Sequence, residues 1–210
     1  RAINTCADPE VVNFNLMTVP GITNTSLTDL MVQTCEDRGD ALAIIDLPDV
    51  YNPAHEGSSY LNFEDRPGTL SSVVTAFKNR RKNSSYGSTY YPWVKVRDSL
   101  NDATVWVPPS VVALGTYSFS DRVGELWFAP AGFNRGGLSQ GAAGLTVTQV
   151  TEKLSSDQRD DLYEVNINPI ASFPNEGIVV FGQKTLDATT SALSRINVRR
   201  LVIFLKKEIS

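Results

Sequence analysis

The sequence predicts an α/β domain: a mixed sheet with flanking helices, opened by a βαβ unit and carrying a hairpin near its C-terminal end. Three observations lead there. Residues 11–19 are rich in β-forming types and stop at Pro20-Gly21, and residues 41–47 form a continuous apolar run closed by Pro48. Between them Leu27, Leu30, Met31, Thr34 and Cys35 repeat at helical spacing, so strand, helix and strand follow in order, with parallel pairing and a right-handed crossover. Further on, two apolar runs at 170–173 and 178–181 flank Pro174-Asn175-Glu176-Gly177, which is hairpin chemistry. With 210 residues, 41% of them apolar and 20% charged, the chain is large enough to bury a sizeable core and too apolar for disorder.

In chain order, Thr25 or Ser26 can cap the first helix and Gly39 can supply its left-handed exit. Residues 49–68 lack any period and abound in Gly, Pro, Asn and Ser, which predicts a long exposed loop. Leu70, Val73, Val74 and Phe77 then repeat as a helix capped by Thr69, and Arg80-Arg81-Lys82 ends it where cations suit the dipole. The aromatic and β-branched runs at 90–97 and 103–107 predict a hairpin or two adjacent strands, with Pro92 at an edge or a strand start. Pro108-Pro109-Ser110 opens a short buried helix over 111–119. Asp121 to Gly124 then turn the chain into a strand-like apolar run at Trp127.

The glycine-rich stretch 136–144 reads as a flexible loop, and 145–150 has the period of a strand. Ser155 and Gln158 form a capping box for a helix through Val165, ended by Asn168-Pro169. The last segment is ambiguous from its pattern. Residues 201–205 could be a strand, yet Val198, Val202, Leu205 and Ile209 also keep helical spacing.

Composition narrows the function. The net charge is −4, from 19 basic and 23 acidic residues, and the basic ones are scattered, so nothing points to nucleic acid or an anionic membrane. No apolar run approaches the roughly 18 to 20 residues that span a bilayer. The start, Arg1-Ala2-Ile3-Asn4, lacks the features of a signal peptide, and the expectation is a single core domain over 1–210, truncated at both ends. Cys6 and Cys35 make no disulfide framework and read as reduced, buried thiols.

Catalytic machinery is thin. His55 is the only histidine, and although Asp49, Glu56 and Ser58 lie near it, an exposed loop histidine fits better than a catalytic one. One histidine and two distant cysteines do not make a zinc site. Gly136 and Gly141 have the spacing of a phosphate loop, but Ala142-Ala143 stand where Lys and Ser or Thr are needed. Asp157, Asp160, Asp161 and Glu164 read as a solvated helix face favoured by the dipole. Arg195, Arg199 and Arg200 suit salt bridges, within the chain or between subunits. An α/β nucleotide-binding enzyme, using the glycine loop and Asp46 at a strand end, is the reading from another class. The sequence supplies no catalytic, metal or cofactor residue that favours it.

Five stretches, in order, resemble the signature of contractile tail sheath proteins: Val107-Pro108-Pro109-Ser110, Trp127-Phe128-Ala129-Pro130, Ile167-Asn168-Pro169, Gly182-Gln183-Lys184-Thr185-Leu186 and Arg195-Ile196-Asn197-Val198-Arg199-Arg200-Leu201. Weaker echoes at 14–21 and 43–46 extend the likeness over most of the chain. The resemblance implies structural roles for Trp127, Ala129, Pro130, Asn168, Pro169, Gly177, Gly182, Thr185, Arg195, Asn197, Arg199 and Arg200, and a helix for the last segment. Phe181 and Lys184 depart from the Trp and Arg that the family often carries there, which alters a local contact. The implied function is a subunit that polymerises with copies of itself around an inner tail tube, above a baseplate, and contracts to drive the tube through the host envelope. It needs no cofactor, nucleic acid or membrane. Lys206 and Lys207 are the expected tube contacts, and the 210-residue piece is expected to be monomeric because sheath arms that exchange strands would lie beyond its ends. A bacteriocin or secretion sheath shares these features.

Overall fold

The computed structural model describes residues 1–47, 69–141 and 143–209. The predicted loop at 49–68, with His55, Asp49, Glu56 and Ser58, lies outside the described residues, as do Pro48 and Ala142. A short helix α1 (Ala2–Thr5) precedes β1 (Leu16–Thr18), α2 (Thr25–Arg38) and β2 (Leu42–Ile45). The strands β1 and β2 pair in parallel, with Leu16 opposite Leu42, so the opening βαβ unit is present.

Its first strand is shorter than predicted, and Val11 is exposed. The cause is Arg38, whose buried guanidinium takes the carbonyls of Cys6 (2.7 Å) and Val12 (3.0 Å), stacks over Phe14 and pairs with Asp40. The Val12 carbonyl therefore bonds a side chain instead of a ladder. Helix α2 is capped by Asn24, ahead of both predicted caps, because Asn24 Oδ1 accepts from the Leu27 N–H. Gly39 closes it at φ 70° as expected. The buried stripe is rotated relative to the prediction: Thr28, Met31, Val32, Thr34 and Cys35 face inward, while Leu27 and Leu30 remain exposed. Thr28 tolerates burial because its hydroxyl bonds the Asn24 and Thr25 carbonyls and receives Arg80.

After α3 (Leu70–Arg80), capped by Thr69 as predicted, the expected strand over 90–97 is two strands in different sheets. β3 (Gly87–Tyr91) lies parallel to β2, and β4 (Val94–Asp98) forms the predicted hairpin with β5 (Ala103–Val107). Pro92, which has no N–H for a ladder, sits at the break after a cis peptide bond. α4 (Pro109–Val123) carries proline in its first turn and runs beyond the predicted 111–119.

No strand forms at Trp127; the described residues from 124 to 146 are turns, bends and irregular backbone with an isolated bridge from Gly137 to Val179, until β6 (Val147–Val150). Nor is the glycine-rich stretch loose. Leu138 is fully buried, and the backbone of 132–138 bonds β8 (Gly177–Val180) through Gly132 N–H to Val180 O, Val180 N–H to Gly136 O and Leu138 N–H to Ile178 O. A Cβ on Gly136 would lie 2.6 Å from the Val180 carbonyl oxygen, so glycine is there for close backbone approach. α5 (Ser156–Glu164) has the predicted Ser155/Gln158 capping box. It ends at Glu164 with Val165 as its cap, close to the predicted end, but the left-handed Asn166 rather than Asn168-Pro169 follows it, and Asn168-Pro169 instead open β7 (Asn168–Phe173), which makes the predicted hairpin with β8. The last segment is a helix, α6 (Ile196–Ile209).

The larger sheet has the order β1-β2-β3-β7-β8 and the smaller β5-β4-β6. Alternation along the central strands divides the core in two. Ala43, Ile45 and Tyr91 face one cluster with α2, α3 and α5, and Leu42, Ile44 and Tyr90 face another with α4, α6 and the smaller sheet. Both cysteines are free; Cys35 is buried as expected, with burial pushing its thiol up to about 12, whereas Cys6 is only half-buried. A thiol reagent at neutral pH is therefore expected to label Cys6 in the native chain and Cys35 only after denaturation, counted by mass spectrometry.

Candidate functional site

The C-terminal motif residues converge where β7 leaves the loop after α5. Asn168 is fully buried, and its Nδ2 donates to the carbonyls of Thr89 (3.0 Å) and Lys184 (2.8 Å) while Oδ1 accepts from the Lys184 N–H (2.6 Å). One amide thus joins β3, β7 and the segment 182–186. Gly182 crosses so close that a Cβ would lie 2.8 Å from both Asn168 Oδ1 and Pro169 Cδ. Thr185 then clamps the segment onto the lead-in to α6: its N–H bonds Ser194 O and its hydroxyl bonds Leu193 O, while the Ile196 N–H reaches Gln183 O.

Of the three arginines expected in salt bridges, one forms one among the described residues. Arg200, 3% exposed in its side chain, grips Asp121 with two hydrogen bonds (2.9 and 2.6 Å) and lies over Tyr117, tying α6 to α4. Arg199 instead donates to the Ser85 hydroxyl and lies 4.1 Å from the Tyr86 ring centroid. Arg195 donates to the Tyr163 hydroxyl, and Lys184 Nζ reaches the Tyr163 carbonyl (2.7 Å) and stacks on its ring. Aromatic faces and hydroxyls stand in for carboxylates here, presented by Tyr163 at the end of α5 and by Ser85 and Tyr86 in the loop before β3. Burial, with Arg195 alongside, holds the Lys184 pKa below the ordinary lysine range.

The remaining motif residues lie apart from this junction. Trp127 packs on Phe204 of α6 with ring centroids 5.9 Å apart, Ala129 O accepts from Arg135 Nε, and Pro130 is buried. Gly177, at φ 73°, lets the hairpin turn pass beside Ser139, whose hydroxyl accepts from the Ile178 N–H. Asn197 Oδ1 is buried without a hydrogen-bond partner among the described residues. Lys206 and Lys207 are exposed, reaching Tyr86 (3.5 Å) and Asn13 (2.7 Å). Sequence reasoning missed Thr89, Tyr163 and Asp121 as partners, since nothing in their spacing marks a contact so distant along the chain.

Asp46 and the glycine stretch, the two features that the nucleotide-binding reading would use, make contacts within the chain. Asp46 is buried and accepts from the Gly21 N–H (2.9 Å), the Ser110 N–H (3.1 Å) and the Ser110 hydroxyl (2.7 Å), joining a strand end, a turn and the first turn of α4. Burial raises its pKa, and those three donors offset only part of the rise. In the glycine stretch, the N–H groups of Gly136, Leu138 and Gly141 bond carbonyls of the chain itself rather than pointing at a phosphate. The α5 carboxylates are exposed, and the described residues hold no group of three or more His, Cys, Asp or Glu placed to bind a metal.

No family model matches the chain. Individual proteins do. Over 113 residues it is 41% identical to a tail sheath protein of Vibrio phage KVP40, and over 112 residues 38% identical to that of Enterobacteria phage T4. Against the tail sheath protein of Salmonella phage ViI it is 31% identical over 179 residues, 84% of the chain. The chain is a homologue of phage tail sheath proteins. The three alignments take in 16%, 16% and 27% of those relatives, so this tail sheath homologue spans about a quarter of their length or less. Its fold recurs in the contracted sheath of an extracellular contractile injection system, PVC (TM-score 0.66, 22% identity, covering 96% of the chain and 48% of that one). It recurs also in the contracted helical sheath of the anti-feeding prophage (TM-score 0.61, 21% identity, 98% and 49%).

Two substitutions probe how the homologue holds its junction. Asn168→Ala strands a carbonyl of β3 and both polar groups of Lys184, and is expected to destabilise by about 2 to 4 kcal/mol in urea unfolding. Asp46→Ala removes the acceptor for three buried donors and is expected to destabilise by about 2 to 3 kcal/mol in the same measurement.

Proposed function

We propose that the full-length protein is a structural subunit of a contractile phage tail sheath, polymerising around an inner tail tube and contracting to drive it through the host envelope. The single observation that supports this most is 31% identity to a tail sheath protein over 84% of the chain. Because the sequence relatives are phage proteins, a phage tail is favoured over a bacteriocin or secretion sheath. The subunit belongs to the virion tail, is assembled in the host cytoplasm, and is not an enzyme. Its partners are other copies, the tube and the baseplate, with neither nucleic acid nor membrane engaged. The work of contraction comes from a free-energy difference between two packings of nearly rigid subunits, summed along the array. A domain with two buried cores on one sheet, cross-tied by Asn168, Asp46 and Arg200, is suited to move as a unit. The twelve motif residues act as internal fasteners, and Lys206 and Lys207 on the last turn of α6 face the tube.

Electron microscopy of the full-length protein expressed alone is expected to show sheath-like tubes, and sedimentation of the 210-residue chain a monomer. Full-length protein that stays monomeric, or gains thermal stability with nucleotides or metals, would count against the sheath reading. Charge reversal of Lys206 and Lys207 is expected to weaken tube binding without changing the subunit's unfolding midpoint.

A further inference from the structure

Across a cleft of about 640 Å³, the end of α3 and its following loop face the end of α5 and the segment leading into α6. Lys78, Arg81, Lys82, Lys184 and Arg195 line it, against two carboxylates, Glu164 and Asp187. Asp187 is taken up by Thr189 and Ser191. Among the described residues none of the five cations forms an ion pair; the four ion pairs present all lie elsewhere. For Lys78 and Arg81 the C-terminal dipole of α3 is reason enough to be there. That reason fails for the other side. Arg195 directly precedes α6, at the helix end where the dipole disfavours a cation, and Lys184 shares with it a single neutral ring, Tyr163. Like charges held together in this way are stabilised by an anion from outside.

We infer that the cleft is a docking site for the acidic face of α5 on a second copy of the chain. Asp157, Asp160 and Asp161 are exposed, fall at i, i+3 and i+4 on one helix face, and have no ion-pair partner among the described residues. Spaced carboxylates on a peptide can pass the two carboxylates of the cleft, whereas a continuous phosphodiester backbone is repelled by them and by a chain of net charge −4. Contact between the α5 face of one copy and the cleft of the next is head-to-tail, the kind that propagates into rings or helices.

The choice of a second copy as the source rests on the assembly reading above; the cleft's affinity for an acidic helix does not. A fluorescent peptide of residues 153–167 is therefore titrated with the 210-residue chain at an ionic strength of about 0.02 M, where exposed charges are little screened. Saturable binding is expected, weakened at least tenfold by Lys78→Glu with Lys82→Glu, whose side chains make no hydrogen bond among the described residues. The same loss is expected for a peptide carrying Asn at 157, 160 and 161. Absence of saturable binding, equal affinity for the Asn peptide, or tighter binding of an oligothymidylate would each overturn the assignment. Tube formation by the full-length protein is scored separately, so failure of the peptide leaves the sheath reading standing, and the reverse.

Discussion

The side-chain amide of Asn168 is the fastening on which the rest of the domain depends. It sits where the end of β3 and the start of β7, already paired in parallel, must meet without water a crossing segment that leads to α6 and belongs to no strand. Only an uncharged group with donors at one end and an acceptor at the other satisfies such a junction, and leaving any of these backbone groups buried and unpaired costs about 1 to 3 kcal/mol. Gly182 then becomes obligatory, since the crossing backbone rests directly on that amide and on the Pro169 ring.

From this junction the two cores can be filled independently. β2 and β3 are buried on both faces, and their side chains alternate between the clusters. Ionic ties then join elements that the sheet does not: Arg38 gathers the N-terminal coil, Asp46 holds α4 to the end of β2, and Arg200 holds α6 to α4. Each is buried or half-buried with its hydrogen-bonding capacity largely used, the circumstance in which a charge inside a protein gives specificity of arrangement.

How much of this was legible follows from where each signal resides. Local chemistry read well: the cap at Thr69, the capping box at Ser155, the Gly39 exit and the turn at 174–177 all depend on residues within four positions of one another. The rotated stripe of α2 did not, because one of the partners that satisfy the buried Thr28 hydroxyl is Arg80, 52 residues away. Nor did the split at Pro92, since two strands of like composition enter different sheets. The motif at Trp127 looked like a strand because its aromatics are apolar, yet they pack as side chains on α6 and across a turn, with the backbone bonded elsewhere. The junction residues Asn168 and Gly182 were picked out by family resemblance alone, whereas Arg200 was also marked by the fitness of its guanidinium for a salt bridge. Their partners, Thr89 and Asp121, are 79 positions away in each case, beyond any pattern a single sequence contains.

The backbone of 132–138, bonded along β8, has a further consequence. It occupies one border of the larger sheet, and the opposite border is β1, only three residues and thus about 10 Å long. A sheet with one border covered and the other so short offers little template for strands of foreign chains. Crowded copies of this domain can therefore lie side by side at high local concentration without their larger sheets fusing into amyloid.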